Sequence, residues 1–111
     1  MWCLILAQAA QAVPAWPHLM NYKLPDGTTI ELTIKGDEKI RWAETKDGYS
    51  LLLNKEGFYE YAKLNENGDM VRSGIRAYNS NERTQEQMSF VSKLNKKVHF
   101  SPSQVNLMHQ I

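Results

Sequence analysis

A chain of 111 residues, 42% hydrophobic and 23% charged, has the size and composition of one ordinary globular domain. Its 13 basic and 12 acidic residues leave a net charge of +1, which argues against a nucleic-acid binder built on a basic face. A single cysteine excludes a disulfide frame.

The chain opens Met1-Trp2-Cys3-Leu4-Ile5-Leu6-Ala7, an apolar run that leads to Ala10-Gln11-Ala12. Small residues at that distance form a signal-peptidase site, so residues 1–12 read as a signal peptide and the protein as secreted or periplasmic. The run is too short to span a membrane. Cys3 is followed by Leu4 and does not sit at the cleavage point, which argues against a lipoprotein. Removal of the leader takes away the only thiol, and with it any cysteine nucleophile or thiolate metal site. Export without disulfides fits a bacterial origin.

Val13 to Pro17 holds two prolines and reads as an extended lead-in. Turn signals then recur every nine to eleven residues: Pro25-Asp26-Gly27, Gly36-Asp37, Asp47-Gly48, Glu56-Gly57 and Asn67-Gly68. Short strands joined by hairpins produce that rhythm. Thr29 to Lys35 alternates strictly, with Ile30, Leu32 and Ile34 on a dry face. Ile40 to Glu44 follows the same rule. Tyr49 to Leu53 is apolar almost throughout and reads as a central strand. Phe58 to Leu64 alternates again, with Tyr59 and Tyr61 opposite Phe58 and Ala62. Met70 to Arg72 and Ile75 to Tyr78 complete five or six strands.

Asn79, Ser80 and Asn81 make a polar break. Thr84 with Gln87 three residues on is a capping-box pattern. Met88, Val91, Leu94 and Val98 fall on one stripe, so the spacing predicts an amphipathic helix over 84–96 packed on the sheet, with Lys93, Lys96 and Lys97 complementing the dipole at its end. Ser101-Pro102 offers the start of a second, short helix. The expected fold is mainly β with one C-terminal α-helix (α+β): an antiparallel meander of five or six short strands packed by that helix. A β-meander domain occupies 13–78, the polar break and helix 79–98, and a tail or linker 99–111.

His18, His99 and His109 are spaced with no partner in a metal-ligand pattern, and no metal or cofactor site is expected in this chain. The acidic residues sit mostly in turns, where Asp caps its own backbone. The turn glycines precede no helix and cradle no phosphate. The aromatic set leaves two readings open: a packed β core, or a contact face for a partner with Trp42, Tyr59 and Tyr61 as its contacts.

The ordered pieces Ala12-Val13-Pro14-Ala15-Trp16-Pro17, Pro25-Asp26-Gly27-Thr28, Gly36-Asp37-Glu38, Trp42-Ala43-Glu44-Thr45-Lys46-Asp47-Gly48-Tyr49, Tyr59-Glu60-Tyr61-Ala62, Ser73-Gly74 and Arg76-Ala77 resemble the N-terminal region of bacterial secreted metallopeptidases of the immune-inhibitor-A type, peptidase family M six. The likeness runs from about Ala12 to Gln104. It implies a signal peptide and a small β-rich domain ahead of a zinc peptidase domain. The H-E-x-x-H segment of that peptidase has no counterpart here, so no catalytic residue carries over and zinc is expected only in a separate peptidase domain. The resemblance implies a prodomain-like module, catalytically inert by itself, that assists folding of the peptidase or keeps it latent. An Asp or Glu from a loop would serve latency, since zinc accepts carboxylate oxygen. The alternative is a free-standing secreted protein-binding or protease-inhibitor module. Partners on either reading are proteins, with no nucleic acid and no membrane span. No nucleophile–base pair, metal motif or phosphate loop supports an enzyme.

Overall fold

The structure, a computed structural model, describes residues 19–37 and 39–110. The signal-peptide reading of residues 1–12 and the lead-in with His18 lie outside the described residues, as does Glu38. The strands are β1 (Met20–Lys23), β2 (Thr29–Gly36), β3 (Arg41–Thr45), β4 (Ser50–Leu53), β5 (Tyr59–Leu64) and β6 (Met70–Arg76). All pair antiparallel in one sheet, in chain order β1-β2-β3-β4-β5-β6. The expected meander is present with six strands, and among the described residues β1 and β6 do not pair with each other, so the sheet stays open.

Four hairpins share one turn. In each, a glycine N–H closes back on the carbonyl three residues earlier: Gly27 on Leu24, Gly48 on Thr45, Gly57 on Asn54 and Gly68 on Asn65. The glycine takes positive φ, as a type I turn with a G1 bulge requires. A short polar side chain fixes each loop. Asn54 Oδ1 accepts from the amides of Glu56 and Phe58, and Asn65 Oδ1 from those of Asn67 and Asp69. Thr45 Oγ1 accepts from Tyr49 N, and Asp26 Oδ1 from Thr28 N.

The β2–β3 turn is different. Gly36 belongs to β2 with φ +87°, and Asp37 Oδ1 accepts from the amides of Lys39 and Ile40. A Cβ on Gly36 would fall 1.8 Å from the Ile40 carbonyl oxygen.

Both faces of the sheet are covered. Ile30, Leu32, Ala43, Leu51, Tyr59 and Tyr61 build the first core, joined by Ala77 and Val91. Ile40, Ala62, Met70, Val98 and Phe100 build the second, with Trp42, Leu52, Val105 and Met108 packed against it. The registers Ile34↔Ala43, Ala43↔Leu51 and Leu51↔Tyr61 carry one face across four strands. The dry face expected for β2 is therefore the first core, and β4 is the central strand its apolar sequence suggested.

The helical part departs from the expectation of a single helix. After a 3-10 turn at Ser80–Glu82, helix α1 covers only Gln85–Val91, and a second helix, α2, covers Pro102–His109. α1 carries the capping box expected of Thr84 with Gln87, α2 starts at the expected Ser101-Pro102, and the structure adds a second capping box there, Ser101 with Gln104. α1 stops at Ser92, whose hydroxyl donates to the Ser89 carbonyl and competes with the helical ladder. The four-residue stripe is consequently divided. Val91 enters the first core with Leu94 beside it, Val98 enters the second core, and Met88 is 50% exposed. The lysines lie past the helix and do not complement its dipole. Lys96 sits over the Tyr49 ring at 5.3 Å, and Lys97 pairs with Glu44 at 3.2 Å.

Gly36→Ala is expected to destabilise by about 2 to 5 kcal/mol, the left-handed backbone cost plus overpacking against the chain. Gly68 has a similar φ but open space around it. Gly68→Ala should therefore cost only about 1 to 2 kcal/mol. Urea unfolding of the two variants beside the wild type measures the difference.

Candidate functional site

Of the three aromatic residues proposed as contacts, two are core. Tyr61 is 0% exposed and Tyr59 7%. Tyr59 meets Tyr22 edge-on with ring centroids 5.3 Å apart, and Tyr61 meets Tyr49 at 6.5 Å. Of the two readings left open for them, these two tyrosines take the packed core. Trp42 is half-buried on the opposite face, edge-on to Phe100 at 5.6 Å, and its indole N–H is buried without an acceptor among the described residues. The strand period separates Trp42 from the tyrosines and joins the tyrosines to each other.

Two arginines organise the polar chemistry. Arg83, at the start of the segment leading into α1, has a side chain 4% exposed. It donates to Asp47 Oδ2 at 2.6 Å, to Asp47 Oδ1 at 3.0 Å and to Tyr61 Oη at 2.8 Å. Its guanidinium lies over the rings of Tyr49 and Tyr61, 5.4 and 5.5 Å away. Tyr61 Oη also accepts from Tyr78 N and donates to Tyr78 O. Burial disfavours the Arg83 charge, but the hydrogen bonds to Asp47 and Tyr61 outweigh it and raise its pKa. The same bond from Arg83, helped by the Thr45 hydroxyl and opposed by partial burial, holds the Asp47 carboxyl at about 2.

Arg76 ends β6. Its guanidinium lies 4.2 Å from the Phe58 ring centre and 4.9 Å from that of Tyr78. It donates to Asp26 Oδ2 at 3.0 Å and to the Thr28 hydroxyl at 3.3 Å, while its Nε is buried without an acceptor. Asp26 is held at about 2, chiefly by the Thr28 hydroxyl and amide and then by Arg76. This clasp joins the β1–β2 turn to the end of β6. Beside it lies a groove of about 520 Å³, floored by Leu24, Ile30 and Ala77 and walled by Thr28 and Thr29 on one side and Arg76 and Tyr78 on the other.

His99 and His109 are exposed, and His99 Nδ1 faces the Phe100 carbonyl oxygen at 3.1 Å. Among the described residues no three His, Cys, Asp or Glu side chains come together as metal ligands. No described helix is long and apolar enough to cross a membrane. No protein-family profile, curated protein or solved structure matches the chain.

Arg76 entered the sequence reading only within the Arg76-Ala77 piece of the resemblance, and Arg83 did not stand out at all. Arg83 follows Glu82 and precedes Thr84, the composition of an ordinary solvated turn. Its one signal is Asp47 in a hairpin loop 36 residues earlier, and only the packing of that hairpin beside α1 connects them.

The Asp47 shift from 3.8 to about 2 gives a pH dependence. A depressed carboxyl contributes its full stability above its ordinary pKa and loses it as the pH falls through about 4 towards about 2. The side chain is 33% exposed. The expected loss is therefore about 1 kcal/mol, below the roughly 2.4 kcal/mol that the whole shift corresponds to. Urea unfolding at pH 7 and pH 3 should show about half of this drop, because the folded-state carboxyl is still mostly ionised at pH 3, and Asp47→Asn should remove that part of it. Tyr61→Ala is expected to cost about 3 to 5 kcal/mol in the same assay, as for a large ring lost from a core. A folded, equally stable variant would return Tyr61 to the contact surface.

Proposed function

We propose that this chain is a non-catalytic, prodomain-like module of a secreted zinc metallopeptidase of the immune-inhibitor-A type, acting on the folding or latency of the peptidase domain by binding it. One observation carries the reading. The residues that resemble that family are the ones that build this scaffold. Asp26, Thr28 and Arg76 form the clasp across the sheet. Thr45, Asp47, Gly48 and Tyr49 form the turn that receives Arg83. Tyr59, Tyr61, Ala62 and Ala77 are buried. A likeness concentrated in turns, clasps and core transmits a shape that binds.

Zinc, on this reading, is held by the peptidase domain. The side chains of Asp26, Asp37 and Asp47 accept hydrogen bonds within their own turns or from arginine. Glu56 and Glu66, exposed in the β4–β5 and β5–β6 turns, are the loop carboxylates best placed to reach a metal in a partner's cleft. The groove beside Arg76 favours a second reading, a free-standing module that binds another protein.

The two effects are measured with the purified chain and an immune-inhibitor-A-type zinc peptidase domain. Adding the chain during refolding should raise the recovered activity, or adding it to the folded enzyme should lower turnover, with saturation near one equivalent. No effect in either assay removes the prodomain reading and leaves the free-standing module.

A further inference from the structure

The chain is anchored to the sheet as far as Phe100 and lightly held beyond it. Lys97 N donates to Gly48 O at 2.8 Å, and the buried Ser50 hydroxyl donates to Val98 O at 2.6 Å. Val98 is 7% exposed and Phe100 9%. From Ser101 onwards the hold changes. α2 has no fully buried residue: Val105 and Met108 rest against the second core, and Leu107 is 63% exposed. The hydrogen bonds that tie it to the sheet leave from its cap and first turn. Ser101 Oγ donates to Asp69 Oδ1 at 2.5 Å, and Gln104 bonds Met70. At the far end His109 adds a Coulombic influence on Asp37, whose carboxyl is held low first by the amides of Ile40 and Lys39.

Those bonds cover an edge of the sheet. Among the described residues β6 has no neighbouring strand on the side away from β5. In an antiparallel ladder bonded and unbonded pairs alternate, and the residues of an unbonded pair turn their N–H and C=O away from each other. Asn65 N donates to Asp69 O at 2.9 Å, so the next pair, Leu64↔Met70, is unbonded and Met70 faces the free edge. The Gln104 carboxamide meets it there, with Oε1 accepting from Met70 N at 2.8 Å and Nε2 donating to Met70 O at 2.9 Å. A side chain thus supplies the bonding of one peptide group of an absent strand. The same Oε1 accepts from Ser101 N in the capping box, so the bond that starts the helix and the bond that seals the edge share an atom. An eight-residue helix does not persist alone in water. Lifting α2 therefore unwinds it, and unwinding it withdraws Gln104 from Met70.

We propose that α2 is a strap, hinged at Ser101, that opens as a unit while the sheet stays folded, and so controls access to the edge of β6. Closed, Gln104 fills the place beside Met70. Open, the N–H and C=O of Met70 are freed next to those of Arg72, which also belongs to an unbonded pair, Ala62↔Arg72. Segments held by few buried side chains open at a fraction of the free energy of global unfolding, and α2 is held in that way. The inference needs no peptidase, and it stands or falls apart from the prodomain reading.

The test is native-state hydrogen exchange of the full chain, followed amide by amide. Met70 N–H reports the edge, Val105 N–H, bonded to Ser101 O at 3.0 Å, reports α2, and Leu51 N–H reports the central strand. Met70 and Val105 should share one protection factor, at least about tenfold below that of Leu51. Leu107→Gly, at an exposed helical position, should lower the protection of both Val105 and Met70 about fourfold, the propensity difference between the two residues. Gly27→Ala, in the β1–β2 turn with φ +88° and open space around it, weakens the sheet instead. It should lower the protection of Leu51 roughly five- to thirtyfold and leave Val105 and Met70 unchanged. Three results overturn the proposal: Val105 protected as strongly as Leu51, Val105 and Met70 accelerated together with Leu51 by Gly27→Ala, or Met70 unmoved by Leu107→Gly.

Discussion

The ion pair between Arg83 and Asp47 governs where everything after the sheet is placed. A guanidinium 4% exposed carries a large desolvation penalty, which is offset only when its donors are matched. Asp47 meets it with both oxygens, Tyr61 accepts a third bond, and two aromatic rings lie beside it. No rotation of the segment keeps these partners and moves α1. The Thr45–Tyr49 hairpin thus fixes the entry to the helix, and the helix brings Val91 onto the first core. Tyr61 joins the two levels, its ring filling the core while its hydroxyl holds Tyr78 and Arg83.

A six-stranded open sheet has edges, and unpaired edges invite other strands. Here two carboxamides attend to them. Asn79 serves the overhang of β2, and Gln104 accepts from Met70 N at 2.8 Å while donating to Met70 O at 2.9 Å on β6. The second bond pair also anchors the start of α2, which has no fully buried residue and rests on Val105 and Met108 against the second core. Sheet and tail are mutually dependent. The second face is apolar at Ile40, Met70 and Ala62, and Val98 and Phe100 cover it.

The clasp from Arg76 to Asp26 keeps the groove's two walls together, and the stacking of its guanidinium between Phe58 and Tyr78 spends that charge on the scaffold. The floor of that groove is apolar, with Leu24, Ile30 and Ala77 buried.

The meander was legible because its causes are local. Alternation along Thr29 to Lys35 sets the faces of β2, each X-Gly signal supplies the positive φ its turn requires, and the Thr84–Gln87 capping box and the Ser101-Pro102 pair mark the starts of α1 and α2. Three things depended on tertiary structure. The stripe Met88, Val91, Leu94, Val98 has helical spacing throughout, yet the chain leaves the helix at Ser92 and carries Val98 to the other face, because both faces of this sheet are apolar and one short tail must reach the second. Tyr59 and Tyr61 have the alternation of either a core or a contact surface, and burial decided for the core, Tyr61 against Phe90 of α1 and Tyr59 against Tyr22 of β1. Arg83 looks solvated in sequence and is buried in the fold, because its partner lies 36 residues away and only packing brings the two together.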